Sequence, residues 1–339
     1  MKNATVKDVA ALAGVSIATV SRYINNTSYV SEEIAQRISN AIKTLDYVPN
    51  SVAISLKKTK TKTIGIVIPE LSNVSFMDTV QGISDVAIQN GYQPIILSNN
   101  DNNKNESKAL DFLLSKRVDG LIIATAGGNE EKILRTNKSK IPVVLLDRDT
   151  INKDKDIVID SVVLDNFSGS YKMINYLISL GHKKIAIFAG TQHSVISNER
   201  LEGYIKALQH NNIEVNNDYI LFGHFGFESG YELAREIVMS PLRPTAIYTV
   251  NNILALGVIS ALNEMNISIP KGMSVCAFGD FKYAGVLNPT LTVINQRAYD
   301  IGETAAKLLM DKIHKYDTWK PQKIVIKTEI IIRNSCSNP

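Results

Sequence analysis

The chain has 339 residues, 45% hydrophobic and 21% charged, a balance that supports two or three domains with real cores and excludes disorder and coiled coil. No run of ~18 apolar residues occurs, and the start MKNATVKDVAALAGV has too short an apolar stretch for a signal segment, so a soluble, cytoplasmic protein is expected. The net charge of +4 is uneven: residues 1–62 carry nine Lys or Arg against four acids, a surplus of five, which leaves −1 for the rest. A small basic head on a near-neutral body fits a polyanion-binding module joined to something else. The only cysteines, Cys276 and Cys336, are 60 positions apart, which excludes a disulfide framework or a cysteine-rich zinc site.

Thr5 can cap a helix in which Val6, Val9, Ala10 and Ala13 recur at i, i+3, i+4 and i+7. Gly14 breaks it and Ser16 starts a second short helix to about Ile24, so the two make a helix-turn-helix. In the second helix Val20 and Ile24 share one face, and Ile17, Ala18, Ser21 and Arg22 the other. A third helix opens at a Ser31 cap, carries Glu32 and Glu33 where the helix dipole favours acids, and buries Ile34, Ile38, Ile42 and Leu45. Pro49 ends this unit. The stretch that follows, helical from Ser51 to Lys58, is below the ~12–15 residues an isolated helix needs in water, so it is expected to stay unfolded until something docks it.

From Thr63 short apolar runs alternate with amphipathic helices. Strands are expected over 64–68, 93–97, 120–124, 143–146, 184–189, 246–249, 274–278 and 324–332, with helices such as 77–89, 106–114, 168–180, 200–209, 229–239 and 253–264 between them. Such alternation builds parallel sheets covered on both faces, and the length suffices for two α/β lobes.

The runs TVKDVAALAGVSIATVSRYINN and VSEEIAQRISNAIKTLDYVPNSVAISL resemble the head of the lactose-repressor (LacI/GalR) family of bacterial transcription regulators. Further matches follow in order: KTIGIVIPEL, RVDGLII, IPVVLLDR, VVLDNFSG, LISLGHKKIAIFAG, RLEGY, and VCAFGDF with PTLTVINQ. The resemblance implies a helix-turn-helix headpiece, a hinge helix, and an effector-binding core like a periplasmic sugar-binding protein, with two lobes and three crossovers, working as a homodimer. The expected division is a DNA-binding domain at 1–48, a hinge and linker at 49–62, and a core at 63–335. Within the core, lobe one is expected at about 63–160 and 293–325, and lobe two at about 161–292. The tail from Arg333 to Pro339 holds no heptad segment for a tetramer.

A short helix with a polar stripe suits the major groove, and Arg22 can make the bidentate pair with guanine that is the commonest base contact. The resemblance places base reading at Ile17, Ala18 and Arg22, with the two apolar residues limited to touching thymine methyls or excluding alternatives. Ser16, Thr19, Ser21, Asn25 and Tyr47 are expected to position phosphates, and Thr5, Asn50 and Ala53 complete the DNA-facing set. The family inserts a leucine at the position of Leu56 into the minor groove to kink the operator, and Ile54 stands where many relatives carry arginine.

Ligands of open α/β sheets bind beyond the carboxyl ends of strands, which directs attention to 72–76, 124–125, 147–148, 193–200, 225, 251–252 and 279–280. Phe76, Phe225, Arg200, Asn251, Asp280 and Arg148 supply the hydrogen-bonding and aromatic groups a sugar needs, and the resemblance gives Arg200 a ligand-gripping role. Relatives usually carry an aspartate directly after the aromatic where this chain reads Phe278-Gly279-Asp280, and an Asn-Asp pair where it reads Asn251-Asn252. Two lost carboxylates beside two arginines point to an effector with some negative charge, such as a sugar acid or sugar phosphate.

No nucleotide-loop, zinc-protease or nucleophile-elbow motif occurs, and the five histidines form no ligand-spaced pair, so no enzyme, cofactor or metal is expected. His182, after Gly181, reads as a helix C-terminal residue. The expected function is a sequence-specific repressor of a carbohydrate operon that binds pseudo-palindromic double-stranded operator DNA and answers to a small sugar-like effector. The alternative, a solute-binding protein or sensor with the same core, lacks a use for the basic head.

Overall fold

The computed structural model describes residues 4–25, 28–47, 60–152, 158–192, 194–281 and 283–339. They form two compact units that meet between Thr61 and Lys62. The smaller holds α1 (Val6–Ala13), α2 (Ile17–Asn25) and α3 (Glu32–Thr44). The Asp8 carboxylate closes the first turn of α1 by accepting from the Thr5 N–H at 2.8 Å and the Thr5 hydroxyl at 2.7 Å. Gly14 makes the turn at φ +64, where a side chain would also sit 2.6 Å from the Arg37 guanidinium that donates to its carbonyl. Val9, Ala10, Ala13, Val20, Ile38 and Ala41 are the core, with Ile34, Ile42 and Leu45 only partly buried around them. Ser31 stands at the N-cap of α3 but its side chain makes no capping bond. The expected hinge helix, 51–58, lies outside the described residues.

The larger unit has two six-stranded sheets. The first joins β1 (Thr63–Ile68), β2 (Gln93–Ser98), β3 (Gly120–Ile123), β4 (Val143–Asp147), β5 (Asp160–Leu164) and β11 (Lys323–Ile326) in the order β2-β1-β3-β4-β5-β11, all parallel. The second joins β6 (Ile185–Phe188), β7 (Ile220–Leu221), β8 (Ala246–Thr249), β9 (Ser274–Phe278), β10 (Thr292–Asn295) and β12 (Glu329–Ile331) in the order β7-β6-β8-β9-β10-β12, with β12 antiparallel. Helices α4 (Val74–Gln89), α5 (Asn103–Ser115), α6 (Glu130–Lys138) and α11 (Ala298–His314) belong to the first sheet. Helices α7 (Asn166–Ser179), α8 (Val195–His210), α9 (Phe227–Met239) and α10 (Asn252–Glu264) belong to the second. The chain passes between lobes three times, after β5, after β10 and between β11 and β12.

Pairing moves the lobe edges. Asp160–Leu164 pairs with β4 and so lies in lobe one, and Thr292–Asn295 pairs with β9 and so lies in lobe two. The run 324–332 is two strands in different sheets, because Lys327 and Thr328 form the third crossover. Strands β5, β7 and β10 and helices α6 and α11 were not among the expected elements. Helix α11 is pressed onto α4 at a crossing that only glycine permits: a Cβ on Gly302 would lie 1.9 Å from the Thr79 carbonyl, and one on Gly82 2.3 Å from that of Tyr299. The same helix carries Lys312, buried against Asp160 at 2.6 Å, with Trp319 Nε1 and the Gln322 N–H also donating to that carboxylate at 3.0 and 2.9 Å. Among the described residues no helix is long and apolar enough to cross a membrane.

Candidate functional site

In the small unit, Ile17 is 45% exposed, and Ala18, Ser21 and Arg22 share its open face of α2, opposite buried Val20. An uncovered apolar residue beside an arginine on one helix face matches the composition of a base-reading surface. Ser16 Oγ accepts from the Thr19 N–H at 3.1 Å and bonds the Thr19 hydroxyl at 2.8 Å, so both expected phosphate contacts already cap α2. Thr5 is likewise engaged by Asp8, and Tyr47 packs partly buried on the head core. Asn50, Ala53 and Leu56, and the side chain of Asn25, lie outside the described residues.

In the large unit both sheets have the 2-1-3-4-5 strand order, whose reversal point leaves a crevice beyond the strand ends. A cavity of about 360 Å³ lies between the lobes, lined from one side by Glu70, Asn73, Phe76, Asp101, Asp147 and Arg148, and from the other by Arg200, Phe225, Asn251 and Phe278. Five of the six expected effector residues, Phe76, Arg148, Arg200, Phe225 and Asn251, therefore meet there.

Arg200 is 5% exposed and lies past the first turn of α8, which begins at Val195, so the expectation that it opens a helix is corrected. Its Nε donates to Asn166 Oδ1 at 2.9 Å, Nη1 donates to the Val250 carbonyl, and the guanidinium lies 3.6 Å over the Phe278 ring. Burial pulls its pKa down to about 10, while nearby Asp147 opposes the change, so it stays a cation at neutral pH. Arg148 is held by the Asp101 carboxylate and by the Thr125 carbonyl at 3.2 Å. Asn251 lines the cavity as the N-cap of α10, its Oδ1 accepting from the Leu254 N–H and its Nδ2 donating to the Phe225 carbonyl, both at 2.8 Å. Asn252 donates across the lobes to Ser75 Oγ at 3.3 Å, and Ser75 Oγ donates to the Asp280 carbonyl at 3.4 Å.

Asp280 is the exception. Gly279 turns the chain at φ +98, and the Asp280 carboxylate is taken by Arg333 of the tail in a two-pronged pair at 3.0 Å, outside the cavity lining. The cavity's carboxylates come instead from Asp147, Asp101 and Glu70. Asp147 sits at φ +62, a backbone state costly for a non-glycine residue and frequent at functional sites. Burial raises its pKa, opposed first by Arg200 and then by Arg148. With three carboxylates facing two arginines, the argument for an anionic effector loses its basis. The position of Asp147 at a strand end was visible in the sequence; Glu70, Asn73 and Asp101 come from loops without any motif.

Comparison with known proteins follows the same division. Residues 5–50 match the family described as bacterial regulatory proteins, lacI family, and residues 61–334 match that of periplasmic binding proteins and the sugar binding domain of the LacI family. The chain is 36% identical over 335 residues to the HTH-type transcriptional repressor PurR of Histophilus somni (strain 129Pt), covering 98% of each. The lac repressor dimer bound to operator and the anti-inducer ONPF is similar in structure, with a TM-score of 0.85 at 26% identity, covering 99% of this chain and 100% of that one. The transcriptional regulator CelR in complex with cellobiose superposes with a TM-score of 0.74 at 27% identity, covering 98% and 99%.

Proposed function

We propose, since the chain belongs to the lacI family of bacterial regulatory proteins, that this DNA-binding transcriptional repressor is controlled by a small, neutral, sugar-like effector held between its lobes. The observation that carries the effector class is the cavity lining. Its arginines are already balanced by Asp101 and Asp147, while Phe76 and Phe225 offer ring faces and Asn73, Asn251 and Asp147 offer acceptors and donors for hydroxyls. Its size is at the lower end of the ~300–1,000 Å³ of small-molecule sites. The sugar-binding match over 61–334 and the cellobiose complex of CelR support this reading.

A headpiece that reads one half-site requires two copies for a pseudo-palindromic operator, and the operator-bound lac repressor dimer supports a homodimer here. Ile17, Ala18 and Arg22 are assigned the base edges, and Ser21 the backbone. The family match over residues 5–50 disfavours a solute-binding protein without a transcriptional role.

Thermal shift against neutral mono- and disaccharides, sugar acids and sugar phosphates tests the effector class. A ligand at about 100 times its Kd stabilises the folded state by ~2.7 kcal/mol. A neutral saccharide is expected to raise the transition of the core. A response confined to the acids or phosphates would overturn the assignment.

A further inference from the structure

The first turn of α5 carries a carboxylate that does not line the effector cavity and is fully buried, that of Glu106. Each of its oxygens accepts two hydrogen bonds. Oε2 accepts from Asn99 Nδ2 at 3.0 Å and from the Ala126 N–H at 2.6 Å, and Oε1 accepts from Thr125 Oγ1 and Asn129 Nδ2, both at 3.0 Å. A buried charge is tolerated where donors saturate it, and a helix N-terminus favours an anion. The donors come from two loops, one after β2 and one after β3, strands that both pair with β1 and not with each other. Glu106 therefore clamps together two strand ends that the sheet alone leaves apart.

Those loops supply both acceptors that hold Arg148. The Thr125–Ala126 peptide group gives its N–H to Glu106 on one side, and its carbonyl accepts from Arg148 Nη1 at 3.2 Å on the other. The Asp101 carboxylate takes the same Arg148 nitrogen from a turn in which Asn100 and Asp101 are both left-handed, at φ +50 and +52. Two such residues in succession, neither a glycine, have to be held from outside. Asn99 holds them: its Oδ1 accepts from the Asp101 N–H at 3.0 Å, while its Nδ2 is fixed by Glu106 and by the Ala124 carbonyl at 3.1 Å. Glu106 thus reaches Arg148 by two routes without touching it.

We propose that Glu106 is the positioning residue that fixes the Arg148 guanidinium in the wall of the effector cavity, an inference that rests on the reading of that cavity given above. A donor held in place before binding loses less freedom when an effector arrives than one that must first be ordered, so the clamp acts on effector affinity by preorganisation. Glu106→Gln keeps the shape of the side chain but turns one oxygen, which faces two donors, into a third donor. Both loops then lose part of their hold.

The test uses no effector, so its outcome is separate from that of the saccharide screen. Full-length protein carrying isotope-labelled arginine is read by nuclear magnetic resonance for exchange of each guanidinium Nε–H with water. Arg148 Nε is buried without a hydrogen-bond partner among the described residues, so its protection reports how firmly the side chain is held. In Glu106→Gln its exchange is expected to rise at least ~10-fold, the effect of losing about one hydrogen bond. Arg200, held by Asn166 in lobe two, should keep its rate. Thr125→Val, which removes one hydroxyl from the clamp at almost unchanged shape, should accelerate Arg148 in the same direction by ~3-fold or more. An unchanged Arg148 rate, or equal acceleration at Arg148 and Arg200, would overturn the proposal. So would an Arg148 Nε–H that exchanges in the unsubstituted protein as fast as that of exposed Arg22, a result that depends on no variant folding.

Discussion

At the scale of single residues, the clearest lesson is that a polar side chain already engaged by the protein does a different job from one left open. Arg22 is exposed on α2, so its removal is expected to leave the headpiece fold intact. Arg22→Ala is expected to weaken operator binding by ~1–3 kcal/mol in a fluorescence-anisotropy titration while sparing random duplex. Equal loss on both would make it a phosphate contact. His182 is the opposite case. Its backbone N–H closes α7 by donating to the Leu177 carbonyl at 3.2 Å, as its place after Gly181 suggests, but its ring is 1% exposed and bonded to Thr245 and Ser337, both at 2.8 Å. Burial lowers its pKa from 6.5, partly offset by the Ser337 carbonyl. The unfolded chain then binds the proton first as pH falls, so this contribution is whole above about 6.5 and is lost progressively below it. Unfolding in urea between pH 7.5 and 5.5 should show stability declining toward acid, and His182→Gln should be less stable at neutral pH but flatter in slope.

At the scale of elements, the legible features are those with a local cause. The three head helices follow from apolar spacing and the Gly14 turn, and the strands ending near the cleft follow from uninterrupted apolar runs. Elements that exist only through distant partners were not legible: β5 and β10 are short and sit beside crossovers, and the run 324–332 is divided by pairing with two different sheets. The same holds for Asp280, whose partner Arg333 is 53 positions away, and for the loop carboxylates of the cavity. The helix crossing of α4 and α11 is another long-range feature, and it fixes the lobe-one face from which Phe76 and Asn73 project. Gly302→Ala must push the helices apart, since its Cβ would meet the Thr79 carbonyl at 1.9 Å. A loss of ~1–3 kcal/mol or more is expected in urea unfolding. Stability within a few tenths of a kcal/mol of the parent would show that the crossing relaxes freely.

At the scale of the whole molecule, lobe one begins at Lys62, where the chain leaves the head and linker. The Lys62 N–H donates to Asp119 at 2.8 Å, its carbonyl accepts from Gln93 at 2.9 Å, and its ammonium lies 4.3 Å over the Tyr92 ring. The linker's exit is therefore fastened to the same sheet whose far ends carry Asp147 and Arg148. An effector that draws the lobes together around Arg200 and Asp147 would reorient that sheet relative to its partner lobe, which is the proposed route from cleft to operator. Linkage makes the coupling reciprocal: whatever factor effector imposes on operator affinity, operator imposes on effector affinity. The most direct test is calorimetric titration of the saccharide identified by thermal shift into the free protein and into the protein saturated with its operator duplex. The two effector affinities are predicted to differ by ~5–150-fold, equal to the change in operator affinity measured with and without effector. Identical effector affinities in the two titrations would contradict the account, because the cleft would then bind its ligand without any bearing on DNA.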